Sequence, residues 1–156
     1  MRGFTLVELL IVIGILLILA AASAPIYGSL QVQAQLDETS AQVIQTLRTA
    51  RERSVARYNN AAHGVFFDIN LGGVDNYILY QGDSYAARDT DYDREIKLES
   101  SLSFINSSFT LTGANVDVNF SKGKGKPNNT GSIILRHETS GNRVISVNKK
   151  GKIEEN

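Results

Sequence analysis

The chain has 156 residues, enough for one domain with a hydrophobic core of ordinary size. It contains no cysteine, which excludes disulfides, thiolate metal sites, thiol nucleophiles and lipidation at cysteine. Sixteen basic residues balance sixteen acidic residues, but residues 68–99 carry eight acids against three bases and residues 117–152 carry eight bases against two acids. This segregation predicts an acidic middle and a basic C-terminal third, and such patches govern association more than the neutral total does.

The first predicted element is an apolar helix near the N-terminus. Between residues 4 and 27 the only charged side chain is that of Glu8, and residues 9–22 contain no polar side chain. A helix of this length would extend about 36 Å, which exceeds the roughly 30 Å of a bilayer's hydrocarbon core. The sequence therefore predicts a transmembrane helix over residues 4–27.

Two ordinary interpretations of this segment leave residues unexplained. A secretory signal peptide would use Arg2 as its basic start, residues 9–19 as its apolar region and the Ala-Ser-Ala pattern at residues 22–24 as its cleavage site. However, Pro25 would follow the cut directly and hinder the peptidase. Glu8 would also place a carboxylate in the apolar region, where a charge costs about 2.5–3.5 kcal/mol or more. A plain single-pass anchor explains the length but leaves Glu8 unexplained.

A third interpretation uses all of these residues. Residues 3–13, with the sequence Gly-Phe-Thr-Leu-Val-Glu-Leu-Leu-Ile-Val-Ile, resemble the N-terminal signature of the type IV pilin superfamily, which includes the pseudopilins of type II secretion. The resemblance implies that a prepilin peptidase cuts between Gly3 and Phe4, removing residues 1–3 as a leader. It also implies that Phe4 becomes the N-methylated first residue of the mature chain.

Glu8 coincides with the glutamate of that signature, and the resemblance assigns Glu8 and Phe4 to filament assembly. A carboxylate in hydrocarbon requires a cation, and cleavage creates one, the α-amino group of Phe4. In the family, the glutamate of an incoming subunit pairs with the terminal amine of a neighbour. Pro25 and Tyr27 coincide with the family's Pro-x-aromatic step, and Pro25 is expected to kink the helix.

The resemblance further implies the partners and the location of the chain. The partners would be other copies or other pilins, the prepilin peptidase, the membrane platform protein of the assembly machine and, before assembly, the lipid bilayer. The chain is expected to cross the inner (cytoplasmic) membrane once, with its head outside the cytoplasm. It would then enter an extracellular or periplasmic filament through its N-terminal helix.

Residues 28–156 are predicted to form a globular head that begins with an amphipathic helix ending near residue 60. Its apolar side chains fall within one arc of about 140° on a helical wheel. They are Leu36, Val43, Ile44, Leu47, Ala50, Val55 and Tyr58. Arg51 lies near the middle of this arc, so we expect it to be largely buried with at least one hydrogen-bond acceptor. Either its stem lies along the sheet and its head group emerges at an edge, or it meets strand carbonyls or a carboxylate, for which Asp68 is the predicted residue. Arg53 and Arg57 are expected to be more exposed.

After residue 62 the apolar residues alternate, which is typical of strands. Strands are predicted at residues 64–69, 77–81, 95–99, 102–105, 109–111, 116–120, 132–137, 143–148 and 152–154. The predicted fold class is therefore α+β, with the long N-terminal helix packed against an antiparallel β-sheet head. Residues 47–56 resemble the helix end, and residues 144–153 the terminal hairpin, of the H-type pseudopilin and FimT-like branch.

The head contains two clusters of charged residues that could bind ligands, and no catalytic motif surrounds its two histidines, His63 and His137. Alternating carboxylates suit calcium if their loop curls, but Arg94 occupies the place of the glycine that such a loop needs, and a solvated acidic loop is preferred. These carboxylates are Asp89, Asp91 and Asp93. The basic cluster suits DNA phosphates, although no aromatic residue lies between its lysines to stack on bases. These lysines are Lys122, Lys124, Lys126, Lys149, Lys150 and Lys152.

The sequence thus predicts a non-enzymatic structural subunit of a type IV pilus or type II secretion pseudopilus. The alternative is a minor, DNA-binding pilin of a DNA-uptake pilus. No cofactor is predicted apart from the calcium alternative.

Overall fold

The computed structural model describes residues 3–70 and 72–155, with the backbone alone for residues 22–26. Within these residues the chain forms one long helix, α1 (Leu6–Val55), followed by nine strands. The strands are β1 (His63–Asp68), β2 (Asn76–Gln81), β3 (Asp89–Lys97), β4 (Leu102–Asn106), β5 (Leu111–Thr112), β6 (Asn115–Phe120), β7 (Gly131–His137), β8 (Asn142–Val147) and β9 (Ile153–Glu155). The predicted α+β class, a long N-terminal helix packed on antiparallel sheet, is confirmed.

The second half of α1 packs against the head, and it does so through the predicted face. Five of the seven predicted apolar side chains on this face are buried, namely Leu36, Val43, Ile44, Leu47 and Ala50. Val55 and Tyr58 are instead 46% and 50% exposed. The reason is that α1 ends at Val55, because Arg57 turns the backbone into the left-handed region at φ 54°. The prediction of a helix continuing to about residue 60 is therefore wrong by one turn.

The first half of α1 contains most of the apolar segment. In the described part of the chain, no helix is long and apolar enough to cross a membrane. The prediction of a transmembrane helix over residues 4–27 is therefore not confirmed. The kink predicted at Pro25 falls among residues 22–26, whose side chains lie outside the description, and it stays a prediction.

The strands form two antiparallel sheets, which the sequence pattern did not separate. The five-stranded sheet has the order β3-β2-β1-β6-β5, and the four-stranded sheet has the order β4-β7-β8-β9. Both sheets and α1 share one hydrophobic core. At the junction of the sheets, the rings of Phe67 and Phe104 meet edge to face, with their centroids 5.2 Å apart.

A buried carboxylate also joins the two sheets. Asp75, which is 3% exposed, accepts the backbone N–H of Asn70 at 2.7 Å and that of Phe104 at 2.6 Å. Asn70 lies in the β1–β2 connection, whereas Phe104 belongs to β4 on the other sheet. Asp75 therefore satisfies a backbone donor of β4 that its partner strand β7 does not use.

Strand β3 begins six residues before the predicted strand at residues 95–99. Its register with β2 pairs Lys97 with Asn76 and Asp89 with Gln81, with a bulge between them. The acidic segment at residues 89–95 is therefore part of an edge strand, and the prediction of an acidic loop is wrong. Its carboxylates alternate with a period of two, which is also the period of a strand, and pairing with β2 satisfies the backbone groups on one side of β3.

Candidate functional site

The peptide bond between Gly3 and Phe4 lies in an open segment before α1. Both residues are outside the helix, and Phe4 is 82% exposed. Among the described residues, a Cβ added at Gly3 would have no neighbouring atom within 4 Å. A peptidase could therefore reach this bond without first unwinding α1.

Glu8 belongs to the capping arrangement that starts α1. Thr5 is the N-cap, and its hydroxyl oxygen accepts the backbone N–H of Glu8 at 3.3 Å. The Thr-x-x-Glu spacing is that of a capping box, a local signal that the sequence analysis did not use. A carboxylate in the first helical turn is also favoured by the helix dipole. Glu8 is therefore held within one turn of the terminus that cleavage at Gly3 would create, and its side chain is exposed.

Between Leu9 and Leu19, α1 presents an apolar surface on all sides. We call residues 4–19 the apolar arm. Its large hydrophobic side chains are 47% to 82% exposed. They are Phe4, Leu6, Val7, Leu9, Leu10, Ile11, Val12, Ile13, Ile15, Leu16, Leu17, Ile18 and Leu19. A helix that is apolar all round requires cover by other apolar groups, so the arm marks an interaction site.

The structure brings two lysine-rich segments, residues 122–126 and 149–152, together at the C-terminal end of α1. We call these segments the two lysine runs. A Cβ at Gly151 in one turn would lie 2.6 Å from the carbonyl oxygen of Gly125 in the other, so the two turns are in contact. The N–H of Gly123 donates to the carbonyl of Ser54 at 2.7 Å, which fixes the first turn to the helix end. We call the following exposed side chains the basic surface: Arg57, Lys122, Lys124, Lys126, Lys149, Lys150 and Lys152.

An exposed aromatic ring lies next to the basic surface. Tyr58 projects from the helix end, and the guanidinium carbon of Arg53 is 5.5 Å from its ring centroid. Two residues further on, the carbonyl of Asn60 accepts a hydrogen bond from Lys122 Nζ at 2.9 Å. No aromatic residue lies between the lysines along the sequence, but Tyr58, from another element, directly follows Arg57 of the basic surface.

Arg51 was expected to have a hydrogen-bond acceptor, and the described part of the chain provides none. Arg51 is partly buried, and its Nε is buried without a hydrogen-bond partner in the described residues. Its side chain lies against the turns at Gly125 and Gly151, within 3.5 Å of where a Cβ would stand at either position. Asp68 is at the far end of β1, about 17 Å from the strand residue that contacts the helix end, so it cannot be the partner. The expectation for Arg57 holds, since it is exposed, whereas Arg53 is partly buried like Arg51.

The carboxylates proposed for calcium do not converge. Asp93 accepts from Arg88 Nε at 2.7 Å, and Asp89 accepts the backbone N–H of Asp91 at 3.2 Å. Carboxylates at alternate positions of a strand are about 6.6 Å apart and point outward in parallel. Among the described residues, no group of three or more His, Asp or Glu side chains could hold a metal ion.

The start of β3 is fixed by aromatic contacts on the outer face of the five-stranded sheet. Tyr85 stacks on Phe66 with their centroids 3.6 Å apart, and the guanidinium of Arg88 lies 3.8 Å from the Tyr85 ring. The hydroxyl of Tyr80 donates to Asp117 at 2.6 Å. Burial, followed by this contact with Asp117, raises the pKa of Tyr80. These groups hold the β2–β3 connection and leave Asp89 and Asp91 at its outer end exposed.

The two histidines take part in contacts that join the strands to α1. The backbone N–H of buried His63 donates to the hydroxyl of Ser54 at 2.8 Å, and burial, followed by the charge of Arg53, lowers the pKa of His63. The His137 ring contacts the side-chain oxygen of Gln35 at 3.1 Å and accepts the N–H of Thr139 at 3.1 Å. This geometry supports the structural interpretation of both residues.

One family model matches the chain, and it covers the segment around Gly3, Phe4 and Glu8. Residues 1–24 match the prokaryotic N-terminal methylation motif, which is the type IV pilin signal. No curated protein and no solved structure matches the chain. The matched motif supports a type IV pilin-like precursor that a prepilin peptidase processes.

Proposed function

We propose that this chain is a structural subunit of a type IV pilus or a type II secretion pseudopilus. The observation that carries the proposal is the apolar arm, with one carboxylate in its first turn and an open peptide bond directly before it. The methylation motif over residues 1–24 supports the same interpretation. The resemblance of residues 47–56 and 144–153 favours the H-type pseudopilin and FimT-like branch.

In this proposal the prepilin peptidase hydrolyses the bond between Gly3 and Phe4, and Phe4 is then N-methylated. The apolar arm stays in the inner membrane until assembly, with the head outside the cytoplasm. There the charge of Glu8 is costly, and pairing with the terminal amine of a neighbouring subunit removes that cost. The platform protein and other subunits then gather the arms, which cover one another's apolar surface inside a periplasmic or extracellular filament.

Mass spectrometry of filament material tests the processing step. The mature chain should begin at N-methylated Phe4. Gly3→Ala should still be processed, because a Cβ there meets no neighbouring atom, whereas Gly3→Trp should leave the precursor uncut. A mature N-terminus at Pro25 would overturn the proposal in favour of a secreted protein.

The role of Glu8 is tested by Glu8→Gln, which keeps the size of the side chain and removes its charge. The variant should insert into the membrane but give at least about tenfold less filament, since losing about 1.4 kcal/mol per subunit contact is a factor of ten. Glu52→Gln is the matched control, because Glu52 is an exposed glutamate at the other end of α1. Normal filament yield from Glu8→Gln would refute the pairing with the terminal amine.

A second candidate function is that of a minor, DNA-binding pilin, and the basic surface with its neighbouring Tyr58 favours it. Lysines contact phosphates, and an exposed ring can stack on an unpaired base. Binding of a short DNA should then weaken as salt rises, with a slope of about −0.7 to −0.9 per phosphate contact. Lys150→Gln should reduce that slope by about one contact, and an unchanged slope would argue against this function.

A further inference from the structure

The exposed charges of the head include two separate clusters of opposite sign, the basic surface and the carboxylates at the start of β3. We propose that the basic surface of one copy binds the outer edge of strand β3 on the next copy in the filament. This inference rests on the proposed filament function. The partner is therefore a second copy of this chain.

Most cations of the basic surface have no ion-pair partner among the described residues. The basic surface carries seven cationic side chains, and the ion pairs of the described residues include only one of them, Lys152 with Glu154. The two turns that carry the lysines are packed against each other through buried Gly125 and Gly151. Their positions are therefore fixed relative to one another, and the cations are presented as one surface.

Strand β3 offers both charge and backbone groups to such a surface. It is an edge strand of nine residues, and among the described residues no strand lies beside the backbone N–H and C=O groups of its outer side. It exposes Asp89, Asp91 and Glu95, together with the cations Arg94 and Lys97 nearer its other end. Lys97 pairs with Glu95, whereas neither Asp89 nor Asp91 takes part in an ion pair among the described residues, so the start of β3 is its acidic part. Charges on an edge prevent strand pairing, so contact with cationic side chains is the interaction that this edge favours.

The two surfaces cannot neutralise each other within one molecule. The first lysine turn follows β6, which lies three strands away from β3 in the five-stranded sheet. That separation is about 14 Å at the usual strand spacing, which exceeds the Debye length of about 8 Å at physiological ionic strength. A contact between two different surfaces of identical chains is heterologous, and repeating it produces an open helical filament.

The charge balance favours a second copy over DNA as the occupant. A DNA-binding domain generally carries a net positive charge, whereas this chain has sixteen bases and sixteen acids. A neutral chain whose charges are segregated attracts copies of itself, because each copy carries both signs. The acidic strand has no function in DNA binding, whereas self-association uses both surfaces.

Cysteine cross-linking can test this contact directly, because the chain has no cysteine of its own. Asp91→Cys and Lys124→Cys chains should be expressed together, assembled into filaments and oxidised mildly. A disulfide-linked dimer should form in the mixed filaments and not in filaments of either variant alone. Ser103→Cys, at an exposed position of β4 in the other sheet, replaces Asp91→Cys in the control and should give no dimer with Lys124→Cys.

Charge reversal gives an independent readout. Asp91→Lys and Lys124→Glu should each reduce filament yield by about fivefold, and the two changes in one chain should restore it, because the reversed charges again attract. Glu138→Lys makes the same charge change at an exposed acid outside β3 and should leave the yield unchanged.

The outcomes separate the two proposals. This contact would be overturned if the mixed cysteine filaments gave no disulfide-linked dimer and Asp91→Lys gave a normal yield. The filament function would stay intact as long as the unaltered chain still formed filaments. A short duplex DNA that binds at physiological salt and prevents the cross-link, while Asp91→Lys has no effect, would assign the basic surface to DNA instead. If the unaltered chain forms no filaments in an assembly-competent host, both proposals are overturned.

Discussion

Replacing Asp75 with alanine should destabilise the head by about 2–4 kcal/mol, because the carboxylate is the acceptor for two backbone donors. The larger part arises at Phe104, which is 3% exposed, so water cannot replace the lost acceptor of its N–H. A buried donor without a partner costs about 1–3 kcal/mol. The part at Asn70 is smaller, since that residue is exposed and its N–H can turn to water.

The effect can be measured as thermal unfolding of the full chain in detergent, followed by near-ultraviolet circular dichroism of its tyrosines. Asp75→Ala should lower the midpoint by on the order of 10 °C. Asp75→Asn retains one acceptor oxygen and should lose less. Asp83→Ala is the matched control, because Asp83 is exposed on the next loop and surface changes cost within about 0.5 kcal/mol. Equal midpoints for Asp75→Ala and Asp83→Ala would refute the argument that Asp75 joins the two sheets.

Two further changes follow from buried or strained positions. The pKa of His63 is lowered below 6.5 in the folded chain, so the unfolded chain binds more protons near this pH. The free energy of unfolding should therefore fall as pH decreases from about 6.5 toward that lowered pKa, by at most about 1.4 kcal/mol per pH unit. His63→Gln should remove this part of the slope in melts between pH 5 and 8, and an unchanged slope would show that His63 is not its source. Gly125→Ala should cost about 1–2 kcal/mol in the same melts, because φ is +61° and the new Cβ would lie 2.5 Å from Val55. Gly28→Ala, in an open helical position, should instead be neutral or stabilise by up to about 1 kcal/mol, and equal effects of the two changes would contradict the strain argument.

The sequence was sufficient to predict the features that depend on residues close together in the chain. The candidate cleavage site, Glu8 and the apolar arm are all contained in the first twenty residues, where adjacent side chains carry the signal. The core face of α1 from Leu36 to Ala50 followed from helical periodicity, and strands such as β1 and β7 followed from alternation. Local geometry fixes both periods, so these predictions needed no knowledge of the packing.

Only the tertiary structure decided how distant segments meet. The alternating carboxylates at residues 89–95 fit a loop or a strand equally well, and pairing with β2 decided for the strand. The two lysine runs became one surface because the turns at Gly125 and Gly151 pack on the end of α1, which also placed Arg51 away from Asp68. The division into two sheets joined by Asp75 was likewise absent from the pattern. Sequence periodicity records which side of an element faces the core, whereas strand register and turn packing depend on contacts between residues far apart in the chain.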